Sequence, residues 1–108
     1  MDLVKIVEDI RRVSQRLDKL PAELRKQAIA YAEKERTYRL ALSQEMMKLR
    51  AENMPATLIN DVARGNVANL KFERDLAEAL FKATVESSRA IQAEMSGLQS
   101  IYRRQDEV

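Results

Sequence analysis

The chain has 108 residues, of which 45% are hydrophobic and 33% charged, and its two Gly, two Pro, three Tyr and two Phe favour long helices. It contains no Cys and no His, which excludes disulfides, thiolate or histidine metal sites, cysteine nucleophiles and Ser-His-Asp chemistry. A net charge of +2 is too small to indicate a nucleic-acid binder.

The first predicted element is an amphipathic helix over about residues 2–19. Its apolar residues step by three and four: Leu3, Ile6, Ile10, Val13, Leu17 and Leu20. Pro21 predicts a boundary or kink, although the lack of a good N-cap leaves a bent continuation open. The segment has no signal-peptide core, and no run in the chain approaches about 18 apolar residues. We therefore expect a cytoplasmic protein that does not bind membranes.

A second helix is predicted over about residues 22–53, followed by a connector with a short helical turn at 54–66. The helix ends there because Pro55 disfavours helical geometry in the residue before it. Thr57 is expected to cap the turn, Gly65 to adopt a left-handed conformation, and Asn66 to cap the next helix. The apolar residues of the turn are expected to cover the end of a helical hairpin: Leu58, Ile59 and Val62.

The third helix, predicted over about residues 67–104, carries a coiled-coil seam. Its members alternate steps of four and three: Ala77, Phe81, Thr84, Ser88, Ile91, Met95, Leu98 and Tyr102. One interpretation is an intramolecular core, and the other is an oligomer interface. Helices of about 48 and 57 Å find little cover within one chain. We predict a single all-α domain over residues 1–108, with a short N-terminal helix and a long antiparallel hairpin, assembled into a homo-oligomeric helix bundle.

Arg64 is the connector residue that these structural roles do not require. A guanidinium beside the N–H groups that open a helix forms a natural phosphate site. The alternative is an ion pair with Asp61 or with a neighbouring chain. The predicted ligand-binding residues are Arg64, Asn66, Thr57, Arg74, Tyr38 and Tyr102.

Other chemistry has weaker support. The acids Glu73, Asp75 and Glu78, facing Glu33 or Glu35, lack the paired Glu-x-x-Glu pattern of helical magnesium enzymes. We therefore predict no catalytic residue, metal or cofactor. Nucleic-acid binding would depend on basic residues of the second helix that alternate with glutamates: Arg25, Lys26, Arg36, Arg39, Lys48 and Arg50.

Three segments, "AEKERTYRLAL", "LRAENMPATLINDVARGN" and "LKFERDLAEALFKAT", carry a resemblance over roughly residues 32–84. They resemble small all-helical accessory proteins encoded by bacteriophages and prophages, most specifically in Pro-Ala-Thr-Leu-Ile, Ala-Arg-Gly and Phe-Glu-Arg-Asp. Where that group usually has glycine, this chain has Asn53, which keeps a left-handed cap feasible. The resemblance implies a phage accessory role in a bacterial host and no particular mechanism.

These observations lead to three functional hypotheses. The first is a non-enzymatic oligomer that binds a phosphate-bearing ligand, for instance by sequestering a nucleotide signal of host defence. The second is an adaptor that binds a host defence protein or a phage replication or recombination protein. The third, nucleic-acid binding, is the least favoured.

Overall fold

The computed structural model describes residues 2–106, and every regular element in this range is an α-helix. Helix α1 comprises Leu3–Ala51, α2 comprises Ala56–Asn66 and α3 comprises Ala68–Asp106. The predicted all-α fold class is confirmed. By internal contacts the chain divides into two compact units, and the single domain over residues 1–108 stays a prediction.

Helix α1 passes through Pro21 without ending, so the predicted division into helices at about 2–19 and 22–53 is wrong. A proline inside a helix removes one hydrogen bond and costs about 3 kcal/mol. Half-buried leucines before and after it, Leu17, Leu20 and Leu24, follow one helical stripe. Burial of this continuous stripe offsets the lost hydrogen bond and keeps the helix intact.

Unit 2 is the segment Gln27–Phe81. Within it α1 and α3 are antiparallel, because Glu35 meets Arg74 while the earlier Tyr31 meets the later Glu78. Its buried cluster is formed by Leu49, Ile59 and Ala63, and by partly buried Leu42, Met46, Met54 and Val62 packed against them.

Unit 1 consists of the residues up to 26 and those from 82 onward. Its helices are also antiparallel, since Arg16 meets Glu94 while the earlier Val7 and the later Tyr102 share a groove. The buried residues of this unit are Ile6, Val13, Ser88 and Ile91.

Helix α1 is followed by a turn at Asn53, whose φ of 63° is left-handed. The Met54 N–H donates to the Leu49 carbonyl at 3.1 Å, and the Asn53 N–H donates to the Arg50 carbonyl at 3.1 Å. This bond pair is a Schellman motif, which satisfies carbonyls that a helix end leaves free. Met54 also packs on the cluster that contains Leu49, and the left-handed cap that Asn53 keeps feasible is present.

Three predictions for the connector are wrong because α2 is longer than a single turn. It begins directly after Pro55 with no side-chain cap, so Thr57 is a helical residue instead of a cap. Gly65 has no positive φ and Asn66 is the last residue of α2. The Val67 N–H continues the helical pattern to the Ala63 carbonyl at 3.2 Å, and this brings Val67 into the core.

Only Val67 separates α2 from α3, which leaves no residue for a separate cap. Ile59 is buried and Val62 is half-buried, as expected for a plug, whereas Leu58 is exposed. The predicted bounds of the third helix, about 67–104, agree with α3 to within two residues.

Candidate functional site

Two of the predicted ligand residues, Tyr38 and Arg74, lie together in unit 2. The guanidinium carbon of Arg74 is 4.8 Å from the centroid of the Tyr38 ring, a cation–π distance. Arg74 also donates from Nη1 to Glu35 Oε2 at 3.0 Å and from Nη2 to Asp75 Oδ1 at 2.8 Å. Tyr38 is buried, so both residues are engaged by the protein itself.

A second polar contact lies one helical turn away. The Tyr31 hydroxyl donates to Glu78 Oε2 at 2.7 Å, linking α1 to α3 as the Glu35–Arg74 pair does. The hydrogen bond to this carboxylate raises the pKa of Tyr31, because the phenolate would face the negative charge of Glu78. We call Tyr31, Glu35, Tyr38, Arg74 and Glu78 the polar layer.

The carboxylate of Glu35 has two cationic partners. Its pKa is lowered mainly by the hydrogen bond from Arg39 and also by the one from Arg74. The pKa of Arg74 is raised, first by its hydrogen bond to Asp75 and then by its hydrogen bond to Glu35. At neutral pH this part of the polar layer is therefore a compensated ionic group.

Two other acids considered for a metal site, Glu73 and Asp75, are likewise paired with cations. Lys34 Nζ is 3.3 Å from Glu73 Oε2. Hydrogen bonds from Lys71 and then from Arg74 lower the pKa of Asp75. Within residues 2–106 no three potential ligands converge as a metal site would need.

The connector residues predicted to bind phosphate, Thr57, Arg64 and Asn66, are exposed. The Asn66 side chain donates to Glu45 Oε1 at 2.7 Å. The Arg64 side chain makes no ion pair or hydrogen bond within the described part of the chain, either to Asp61 or to any other residue. The Val67 N–H, part of the expected anion site, is already bonded to Ala63.

Tyr102 belongs to unit 1, whereas the other five predicted ligand residues belong to unit 2. It lines a groove with Val7 and Ile10, and an adjoining groove of about 310 Å³ is lined by Leu3, Val4, Val7, Glu8 and Arg11. We call Leu3, Val4, Val7, Ile10 and Tyr102 the Val7 patch.

The coiled-coil seam is largely covered by the chain itself. Ser88 and Ile91, predicted to lie in an oligomer interface, are buried in unit 1 against helical segments of the same chain. Tyr102 is exposed. The other five members are half-buried: Ala77, Phe81, Thr84, Met95 and Leu98. This burial favours the intramolecular interpretation of the seam.

Sequence reasoning missed a second apolar stripe on α3, which lies beside the seam. Phe72, Leu76 and Leu80 are 67%, 49% and 53% exposed. Their spacing of four places them in one row on the helix, and we call these three residues the outer face of α3. The signal was present in the sequence as a regular i, i+4, i+8 run of large apolar residues.

Comparison with known proteins adds no relative. No family model, curated protein or solved structure matches the chain. No described helix combines the length and apolar character needed to cross a membrane.

Proposed function

We propose that this chain is a non-enzymatic interaction protein that works through helix–helix contacts and assembles into a homo-oligomeric helix bundle. The observation that carries the proposal is the set of large apolar side chains exposed in both units. They include the outer face of α3 in unit 2 and four residues of the Val7 patch in unit 1: Leu3, Val4, Val7 and Tyr102. In the polar layer, by contrast, Glu35 pairs with Arg74 and Glu78 accepts a hydrogen bond from Tyr31, so these polar groups bind one another.

Surface area supports self-assembly. The chain exposes 8019 Å², whereas folded monomers of 12.4 kDa expose about 6,100 Å². A standard interface buries about 800 Å² of each partner. The excess of about 1,900 Å² is therefore enough for an interface of ordinary size and leaves surface for a second partner.

In this proposal the second partner is another protein, bound at the Val7 patch. The resemblance of residues 32–84 to phage accessory proteins supports a role as an adaptor for a host defence protein or for a phage replication or recombination protein. Such an adaptor would act in the cytoplasm of the bacterial host. It needs no cofactor, since binding depends on apolar burial at helical grooves.

Light scattering between about 1 and 100 μM tests the assembly, because association that buries an ordinary interface is expected to be populated in this range. We expect a mass of at least two chains at the upper end. A single-chain mass throughout would contradict the proposal. Capture of a partner by the wild-type chain and its loss in Val4→Asp would support the adaptor role, with exposed Leu40→Asp as the control.

A second candidate is binding of a phosphate-bearing ligand, such as a nucleotide signal of host defence that the protein would sequester. It is favoured by one observation, the exposed Arg64 without a partner among the described residues. Native mass spectrometry of freshly purified protein tests it, because subunit number and retained small molecules appear together. A retained ligand that is lost in Arg64→Ala but kept in Arg36→Ala supports this function, and a ligand-free spectrum counts against it.

A further inference from the structure

The outer face of α3 adjoins a groove, and together they form one apolar surface of unit 2. The groove has a volume of about 380 Å³ and is lined by Ala30, Lys34, Glu73, Leu76, Ala77 and Leu80. Lys34 and Glu73 form an ion pair at 3.3 Å across it, so the charges in the lining cancel. A neutral groove with alanines in its lining suits an apolar side chain.

We infer that this surface pairs with the same surface of a second copy, with the two α3 helices antiparallel and Leu76 on the two-fold axis. The inference rests on the proposed self-assembly and names the surface that performs it. It also identifies the occupant of the groove as Phe72 of the other copy.

Self-complementarity favours a second copy over an unrelated helix. Phe72 is the most exposed large apolar residue of the chain as described, and the α3 residues that line the groove run from Glu73 to Leu80. A two-fold axis through Leu76 places residue 72 of one copy level with residue 80 of the other. Phe72 of each copy then faces the groove of the other, which is the reciprocal contact that a closed dimer requires.

The charge pattern fits the same arrangement. The outer face itself carries no ionisable group, and the nearest charged side chains, Glu73 and Asp75, are paired with Lys34 and Lys71. No unpaired charge on this row is therefore desolvated when two copies meet, and antiparallel helices also oppose their dipoles. The interface gains from apolar burial without an electrostatic cost at its centre.

Because the chain contains no Cys, a single introduced thiol reports which residues meet. Facing helices whose axes lie about 8–10 Å apart bring Cα atoms on a two-fold axis to about 3.4–5.4 Å. This range overlaps the 4.4–6.8 Å typical of disulfides. Two copies of Leu76→Cys should therefore cross-link when diamide is added as oxidant at a concentration at which the wild-type protein is oligomeric.

The expected result is a disulfide dimer of Leu76→Cys on a non-reducing gel. It should form at least about tenfold faster than the dimer of Leu40→Cys. Leu40 is the matched control because it is 58% exposed on α1, away from the outer face. Phe72→Cys alone should not cross-link, whereas an equal mixture of Phe72→Cys and Leu80→Cys should. Leu76→Asp should lower the mass in light scattering to one chain, and Leu40→Asp should not.

Each alternative result has a defined meaning. If wild-type protein is oligomeric but Leu76→Cys cross-links no faster than Leu40→Cys, the inferred surface is wrong and the proposed self-assembly stands. If Phe72→Cys cross-links efficiently by itself, the helices are parallel and the two-fold axis is wrong. If wild-type protein is a single chain at about 100 μM, the proposed assembly itself fails.

Discussion

Asn53 is the residue on which the end of α1 depends. Its left-handed φ of 63° allows the two bonds that close the Schellman motif. Asparagine tolerates this conformation better than most residues, and glycine tolerates it without a steric penalty. The cap also directs Met54 onto the cluster around Leu49, so backbone conformation and core packing are linked at this position.

We expect Asn53→Ala to lower the free energy of unfolding by about 1 kcal/mol, and Asn53→Gly to leave it unchanged or slightly raised. Urea denaturation followed by circular dichroism measures both values. Glu52→Ala, at an exposed position beside it, is the control and should have little effect. A loss in Asn53→Gly equal to that in Asn53→Ala would show that the side chain matters and the φ angle does not.

Glu35 predicts how stability depends on pH. Arg39 and Arg74 lower its pKa in the folded protein, so on acidification the unfolded chain binds the proton first. The stabilisation by ionised Glu35 is complete above the unfolded pKa of about 4.3 and is lost as pH falls through the lower folded pKa. The stability difference between wild type and Glu35→Gln should therefore narrow as pH falls from 7 to 3.

Urea midpoints at a series of pH values measure this difference. Glu33→Gln is the matched control, because Glu33 is exposed on the same helix and makes no ion pair within residues 2–106. Its difference from wild type should be small at every pH. A Glu35→Gln difference that stays constant down to pH 3 would show that the ion pairs of Glu35 do not contribute.

At the scale of the element, α1 retains a proline that its own hydrogen bonding does not favour. Pro21 is exposed and lies inside the helix. We expect Pro21→Ala to raise the free energy of unfolding by up to about 3 kcal/mol, because it restores a backbone hydrogen bond and removes a steric clash. Thermal and urea denaturation test this increase.

Gly97→Ala provides a reference for the same measurement. Gly97 lies within α3, and an added Cβ would meet no atom within 4 Å. This substitution should stabilise by about 1 kcal/mol through helix propensity alone. If Pro21→Ala stabilises less than Gly97→Ala, α1 has adapted to the proline and the restored hydrogen bond gains little.

Helix type and periodicity were predictable, whereas several boundaries were not. The seam identified Ser88 and Ile91 as inward-facing, since spacing alone determines which residues share a face. Gly65 and Asn66 were misassigned because local preference for a cap competes with tertiary burial of Val67, which a local pattern does not reveal. The engagement of Arg74 by Glu35 was equally hidden, because it joins residues 39 positions apart.

At the scale of the whole molecule, each unit has its own small buried core. Unit 1 buries Ile91 and unit 2 buries Leu49. Since domains of this size are stable by only about 5–15 kcal/mol, neither core has much stability in reserve. Both units, however, take their residues from α1 and α3, so we expect them to unfold together.

We expect Ile91→Ala and Leu49→Ala each to lower the free energy of unfolding by about 2–4 kcal/mol, through lost burial and the cavity left behind. Both variants should keep a single urea transition, followed by circular dichroism. A two-step transition in either variant would show that the units unfold separately. Leu40→Ala, at an exposed position, is the control and should change the value little.

The polar layer also determines the register of the two antiparallel segments of unit 2. The apolar residues of a coiled-coil seam repeat every seven positions. Apolar packing alone would therefore tolerate a shift of one helix along the other by seven residues. Such a shift would move Arg74 from Glu35 to the level of Ala28 or Leu42, neither of which carries a charge. A wrong alignment therefore loses the Glu35–Arg74 ion pair and the Tyr31–Glu78 hydrogen bond, and this loss favours a single alignment within unit 2.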